Sequence, residues 1–562
     1  MATLFDSASL ALIPSGVKES KLYSIKPTNG DGDFTFSRGT DTATRVNASG
    51  LIEKERGNLA LQSNQFDTTW ALVTASVTGG QSGYDGSSDA WLLSKSGTYG
   101  RVEQSLSYTG ILTFSVYVKS GTADYFELTN SSYGYAGFSL DDGIVVKTGA
   151  GVISPSVESV GGGWYRCSIS CNVAATSTWR IIAGDVGADT ATGTSGTIYI
   201  QDAQLEQGLV ATDYIETTTA AVYEGITDNL PRLDYSGGAS CPSLLLEPSR
   251  TNLIVHSEYF GAWTLSGDGA GQSITTNYAT SPEGVANATR IQLDKTGGTY
   301  SRISISATGT SSGVSCVFSV YLKANSGSPF VYIQSGPNIG TAIELTSEWQ
   351  RFTIIGNASG GTTSCIIAVA DSVSGTTETA DILAYGAQLE SSASYVSSYI
   401  PTYGTSASRA ADDCDIINEP SLMGQTEGTA YVEINHIQGI ESLGVFMNDG
   451  SGSNYGYLVG GYISSGNIPV FVVNNNTAQV SIQGTTPLSS GTHKLAIAYK
   501  ENDFAMYVDG VQIGTDSSGT LPALNDLYIG QYKDNVARNG NKKQVILFKT
   551  RLTNAELAAL TA

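Results

Sequence analysis

Phe114-Ser115-Val116-Tyr117-Val118-Lys119 and Phe318-Ser319-Val320-Tyr321-Leu322-Lys323 are one stretch written twice. In both copies Phe, Val and Val or Leu point one way while Ser, Tyr and Lys point the other, the period of a half-buried strand. The pairing continues outward. Upstream, Leu51-Ile52-Glu53, Arg56, Asn58-Leu59, Ser63, Phe66 and Trp70 correspond to Leu245-Leu246-Glu247, Arg250, Asn252-Leu253, Ser257, Phe260 and Trp263. Downstream, Trp164-Tyr165-Arg166 corresponds to Trp349-Gln350-Arg351, Ala203-Gln204-Leu205-Glu206 to Ala387-Gln388-Leu389-Glu390, and Tyr214-Ile215 to Tyr399-Ile400. The offset is 194 over the head, 204 at the central strand and 185 near the end, so loops have diverged around a kept framework. A period that long is a whole domain, since solenoid units run roughly 20–50 residues.

The composition agrees with short strands and tight turns. Among 562 residues there are 65 Gly and 30 Tyr, but 3 His and 4 Met, and charged residues make up 14% where about 25% is usual. The chain is too long for one core, so several domains are expected. A formal charge of −22 opposes binding to nucleic acid or an anionic membrane. Six cysteines do not form a disulfide framework; Cys316 and Cys365 could pair across a sandwich, but buried free thiols are the preferred reading. The N-terminus lacks a basic region followed by an apolar core, so no signal peptide is expected. No apolar run approaches the length of a membrane span.

The fold class expected is all-β: tandem antiparallel sandwiches of jelly-roll type with a small N-terminal docking segment. The boundaries are 1–50 for that segment, 51–217 for the first sandwich, 218–244 for a connector packing on the N-terminal segment, 245–404 for the second sandwich and 405–562 for a third. In the last region Gly491–Tyr499 alternates as a strand, Phe504–Gly510 follows a polar turn, and Thr553 with Glu556 forms a capping box opening one short helix.

The Asn-Leu…Ser…Phe…Trp head, the F-S-V-Y-x-K strand, the W-x-R strand and the A-Q-L-E…Y-I tail resemble carbohydrate-binding modules of the family four and nine type. The second copy keeps Ile400-Pro401-Thr402, whereas the first has Ile215-Glu216-Thr217. The series His493-x-Leu-Ala-Ile-Ala-Tyr499, Tyr507-Val508-Asp509-Gly510, Leu527-Tyr528-Ile529-Gly530 and Leu552-Thr553-Asn554-Ala555-Glu556-Leu557 is similar to laminin G-like, concanavalin A-like domains. Leu12–Gly16, Phe34–Arg38, Ala43–Asn47, Leu230–Tyr235 and Pro242–Pro248 resemble segments common in tail and fibre proteins of bacteriophages. That resemblance implies a virion protein exposed on the particle surface and made in the host bacterial cytoplasm. It would be a tail- or fibre-associated adhesin for bacterial surface or environmental glycans, homotrimeric, and docked to other virion proteins through its N-terminal segment. A capsid fibre or decoration protein with a structural role, and a polysaccharide depolymerase, are the alternative readings.

No catalytic signature is present: His256, His436 and His493 lie in no H-E-x-x-H frame, and no nucleophile elbow or phosphate-binding loop occurs. The expectation is a protein that is not an enzyme, without a cofactor. His493 begins a strand and reads as a surface residue. Calcium stays open at Asn448-Asp449-Gly450, as some laminin G-like domains carry it, but Asn/Asp-Gly equally makes a hairpin turn. Asn29-Gly30-Asp31-Gly32-Asp33 lacks the rest of an EF-hand loop and reads as a turn. Glycans are held by aromatic faces flanked by polar side chains. Tyr133 and Tyr135, Tyr455 and Tyr457, and Tyr462 are the candidate binding residues, because alternation puts the members of each Tyr-Gly-Tyr pair on one side. Trp70 and Trp263 read as core residues.

Overall fold

The protein is described by a computed structural model covering residues 2–184, 193–450, 456–532 and 540–562. Its architecture is tandem antiparallel β-sandwiches. In the first sandwich one sheet runs Val152–Gly161, Trp164–Val173, Gly110–Ser120, Gly196–Gln207, Ala90–Lys95, Ala75–Gln81. The facing sheet runs Ile144–Thr148, Gly134–Ser139, Tyr125–Asn130, Ser177–Ala183, Arg101–Leu106, Ala71–Val73. Alternation along Gly110–Ser120 sends Leu112, Phe114, Val116 and Val118 into a core with Phe126, Phe138 and Trp179. Full burial of each large side chain contributes roughly 1.5–3 kcal/mol.

The second sandwich repeats the plan with Ser315–Ala324 between Thr379–Ser391 and Gln350–Asn357. Phe318, Val320 and Leu322 enter its core as their counterparts do in the first. Trp70 and Trp263 are buried in the two cores, their indole nitrogens donating to the carbonyls of Gln62 and His256.

The matched heads and tails of the repeat are clasps. Asn58 Nδ2 donates to the carbonyls of Ala203 and Ile215 at 3.0 and 2.8 Å; Asn252 does the same to Ala387 and Ile400 at 3.1 and 2.9 Å. Gln204 Oε1 accepts from Ile215 N and Gln388 Oε1 from Ile400 N. Each module is thus closed where its chain enters and leaves. The exchange of Pro401 for Glu216 leaves this intact, because Thr217 and Thr402 both donate back to the head, to Ala60 and Ile254.

The third sandwich departs from the expected boundaries. One sheet runs Arg232–Asp234, Ser243–Leu246, Gly540–Phe548, Glu427–His436, Gly491–Lys500, Phe504–Val508, Val511–Asp516, and Leu10–Leu12 pairs with its Gly540–Phe548 strand. The other runs Val17–Lys18, Lys21–Leu22, Phe34–Ser37, Asp413–Ile416, Asp526–Ile529, Val445–Asn448, Gly456–Ile463, Pro469–Asn475, Thr477–Gln483. Residues 1–50 are therefore no separate docking piece. Leu10, Leu12, Leu22, Phe34 and Phe36 lie in the same core as Leu495 and Val545. The connector touches the N-terminal segment, with Arg38 N donating to Asn229 Oδ1, and also extends this sandwich. The first two modules are loops of chain held at both ends by the third.

A buried ionic cluster ties these pieces. Arg232 bridges Glu247 at 2.8 Å and Asp412; Arg409 reaches Glu247 at 3.1 Å and Arg38 reaches Asp412 at 3.5 Å. Burial opposes the Glu247 charge, but Arg409 and Arg232 outweigh it and hold this carboxyl well below the usual range. Thr553 and Glu556 form the expected capping box on Asn554–Thr561. His493 is buried, not on the surface, bonded to Asp509 at 2.6 Å and facing the Ser489 carbonyl. All six cysteines are free, Cys316 and Cys365 included. Among the described residues no helix is long and apolar enough to cross a membrane.

Candidate functional site

On the outward face of the first module's central sheet, alternation leaves Tyr117 pointing away from the core. Tyr84 lies flat on it, ring centroids 3.8 Å apart and planes 5° from parallel. The Arg166 guanidinium covers the same ring at 5.2 Å. Trp164 approaches Tyr84 at 6.3 Å, and half-buried Tyr199 and Tyr214 complete the cluster, every member of which belongs to the first module.

Tyr84 rides on the loop 82–89, which Gln201 pins to the sheet. Gln201 Oε1 accepts from Tyr84 N at 3.1 Å and Nε2 donates to Asp89 at 2.8 Å and Asp85 at 3.3 Å. Gly83 permits this close approach, because a Cβ there would stand 2.5 Å from Gln201 Oε1 and displace that side chain. Next to Gln201 the strand bulges and Asp202 adopts φ 53°. The sister position is Gly386, at φ 61°. Aspartate is among the residues that enter this left-handed region. Its carboxylate accepts from Tyr84 Oη at 3.1 Å. Burial, reinforced by Asp89 and Asp85, pushes it up to about 7. The face thus has the half-buried Tyr84 ring beside the exposed carboxylates of Asp85 and Asp89, with Gln201 and Asp202 buried beneath them; a ring face flanked by polar groups is the chemistry that stacks on sugar C–H surfaces and reads hydroxyls.

The corresponding face of the second module is covered in part by the chain itself. Tyr321, Tyr385, Tyr399 and Trp349 cluster there, and the chain's own Ile52 packs among them, 5% exposed. Ile52 N donates to Pro282 O at 2.9 Å. Two residues on, Lys54 Nζ sits 2.9 Å from Glu258 and 3.0 Å from Glu283, with the Tyr403 ring at 5.3 Å. Burial opposes the ammonium charge, but the two carboxylates outweigh it and keep Lys54 protonated. A polar cleft of about 540 Å³ runs beside this strap, between the modules, lined by Asp41, Glu55, Asn172, Gln207 and Tyr403.

The residues expected from sequence fall elsewhere. Tyr133 lies in a turn and packs toward the first module's core, whereas Tyr135 faces outward with Lys147 at 5.0 Å from its ring. Gly134, at φ 142°, breaks the alternation between them, so the expected pair forms no platform. Tyr455 lies outside the described residues. Tyr457 and Tyr462 do come together, on the outward face of the third sandwich with Phe446, Tyr528 and Tyr532. Tyr457 stacks obliquely on Phe446 at 5.6 Å and Tyr462 on Tyr532 at 6.2 Å. Asn448 closes its own turn, accepting from Gly450 N, and among the described residues no group of three His, Cys, Asp or Glu is placed to hold a metal. Sequence reasoning missed the first-module cluster. Its signal was the outward tyrosine of the duplicated strand, Tyr117 and Tyr321.

Comparison with known proteins agrees on the fold. Residues 423–558 match the family described as the concanavalin A-like lectin/glucanases superfamily. Among solved structures, the chain is similar to the CBM40 of the Ruminococcus gnavus IT-sialidase bound to α2,3 sialyllactose, at 13% identity and TM-score 0.23, covering 25% of this chain and 85% of that one. It is similar to the CBM22-1-CBM22-2 tandem of Paenibacillus barcinonensis Xyn10C, at 10% identity and TM-score 0.22, covering 63% and 99%. It is also similar to domains LG4-5 of the mouse laminin α1 chain, at 12% identity and TM-score 0.21, covering 44% and 90%. Likeness at this level carries nothing about ligand or reaction. No curated protein matches the sequence.

Proposed function

We propose that the chain is a non-enzymatic bacteriophage virion protein, a tail- or fibre-associated adhesin that binds bacterial surface or environmental glycans through the outward face of its first sandwich. One observation carries the glycan reading: of two equivalent aromatic faces, the second has Ile52 of the chain's own strand buried among its rings, while the first, with Tyr84, Tyr199 and Tyr214 half-buried, is built from its own module alone. The particle assignment rests on the fibre-like segments at 12–50 and 230–248. Their weaving into the third sandwich suits a mount that holds the binding modules at both ends. The buried carboxylates Glu258 and Glu283 are clamped by Lys54, an arrangement unsuited to the acid–base work of glycoside hydrolysis. Homotrimeric assembly would raise avidity from weak single sites.

The test is a bacterial glycan array probed with the full chain and with Tyr84→Ala. Binding by the parent and its loss in Tyr84→Ala support the reading. Uniform silence from the parent overturns it in favour of a structural decoration, and release of new reducing ends overturns its non-enzymatic part.

A further inference from the structure

Lys54 meets two carboxylates in the second module, and among the described residues no other Lys or Arg pairs with either. Its Nζ lies 2.9 Å from Glu258 Oε1 and 3.0 Å from Glu283 Oε2. Lys54 is 6% exposed and Glu258 1%. One positive and two negative charges leave a net charge that so dry a site does not keep, so one carboxyl takes up a proton. Burial, with Glu283 beside it, pushes the Glu258 carboxyl up in spite of Lys54 and makes it the protonated one. Asn287, itself buried, agrees: its Oδ1 has no partner, and its Nδ2 stands 3.4 Å from Glu258 Oε2. A hydroxyl at Oε2 supplies the missing donor once that amide turns over. An amine, a carboxylic acid and a carboxylate are thereby gathered around one nitrogen, away from bulk water.

We propose that Lys54 and Glu258 condense into an isopeptide bond, with Glu283 as the base, so that the strap is joined covalently to the second module. Glu283 Oε2 takes one proton from Nζ, and the neutral amine adds to Glu258 Cδ, whose oxygen it already touches. Negative charge forming on Oε1 meets the Tyr399 phenol at 3.2 Å. A second Nζ proton passes through Glu283 to the Oε2 hydroxyl, which departs as water by the cleft that Lys54 and Tyr403 line. One C–N bond forms and one C–O bond breaks, with no oxidant or reductant consumed. Glu283 keeps the first proton, so the site ends without charge, and removing buried charge favours the product. The triad is built once although its frame is built twice: at the offset of 194, Lys54 corresponds to Pro248 and Glu258 to Asn64. A bond from 54 to 258 closes a ring of chain around the first sandwich. Tension along the chain then bypasses residues 55–257, and the first module stays mounted whatever ligand it holds.

The test is mass spectrometry of the full chain after prolonged incubation at neutral pH, beside Lys54→Arg and Glu283→Gln. Arg keeps the cation and Gln the bulk, neither variant completes the reaction, and melting curves verify that each is folded. The proposal expects the parent to be lighter than its sequence by one water. Trypsin, unable to cut after an amidated Lys54, should release a branched peptide joining residues 46–56 to residues 251–290, with fragmentation placing the branch at Glu258. Both variants should retain the full mass and give no branch. A parent of full mass overturns the proposal whether or not a variant folds. Water lost elsewhere in the chain, as at an Asp-Gly turn, or a branch at Glu283, overturns it as well. A branch that persists in Glu283→Gln overturns the role given to Glu283.

Discussion

Replacing Lys54 with Met removes the ammonium from a site where it is 6% exposed and contacts two carboxylates at 2.9 and 3.0 Å. Met keeps the length and apolar bulk of the stem, so the loss is electrostatic. Glu258 and Glu283 would then face one another in the interior, with the Asn287 amide and the phenols of Tyr399 and Tyr385, all neutral donors, as their remaining partners. Stripping one partner from a buried pair costs about 3–5 kcal/mol. The strap Leu51–Lys54 is the element that loses it, and the Ile52 amide bonded to Pro282 reports its opening. At 1.4 kcal/mol per decade, Ile52 amide exchange should accelerate by about a hundredfold or more. The deficit also has a pH signature. Two buried carboxyls without a cation have folded pKa values above the unfolded value of about 4.3. Stability therefore falls as pH rises through that window and recovers on acidification. The triple variant Lys54→Met, Glu258→Gln, Glu283→Gln should regain most of the loss, because no charge is left stranded. Exchange at Ile52 unchanged by Lys54→Met refutes this account of the strap.

Arg232→Met leaves Glu247 with Arg409 and Asp412 with Arg38, so the loss is that of the hydrogen bonds Arg232 makes to both; it is expected to cost about 1–3 kcal/mol and to admit protease between the second and third sandwiches, and undiminished resistance in a timed digest contradicts this. Asn58→Ala and Asn252→Ala each remove a side chain that satisfies two buried carbonyls. Losses of roughly 1–3 kcal/mol should appear in the first and second sandwich respectively, read by module-resolved amide exchange. Asp202, held up to about 7 by burial and its acidic neighbours, makes the first module lose stability as pH rises from about 4 toward 7. Asp202→Asn should flatten that slope in melting curves across this range, and a slope identical to the parent's rules out Asp202 as its source.

The strand framework was legible because Phe114–Lys119 and its copy alternate cleanly, and because the clasp residues Asn58, Gln204, Asn252 and Gln388 are fixed by both copies at once. The third sandwich was only partly legible. Leu10–Leu12 is too short to show a period, and its partner Leu547 is at the far end of the chain. Nothing local tells such a segment which sheet it will join. The binding face hid for a related reason. Tyr84 and Asp202 come from a loop and a bulge, where side-chain direction follows backbone torsions instead of alternation. Tyr133 and Tyr135 failed as a pair through the same physics, at Gly134. Tyr457 and Tyr462 met because both project from one strand on either side of a bulge at Gly461. What the repeat could not reveal was the asymmetry between its copies, since the strap that partly covers the second face belongs to the head of the first.

The most direct measurement is a hydroxyl-radical footprint of the full chain, alone and saturated with purified polysaccharide from a bacterial surface. The account predicts that saturation shields Tyr84, Tyr199 and Tyr214 while leaving the half-buried Tyr321 and Trp349 of the second module, whose neighbours Tyr385 and Tyr399 are buried with the chain's own Ile52, unchanged. Shielding of the second module's tyrosines with the first module's untouched contradicts it.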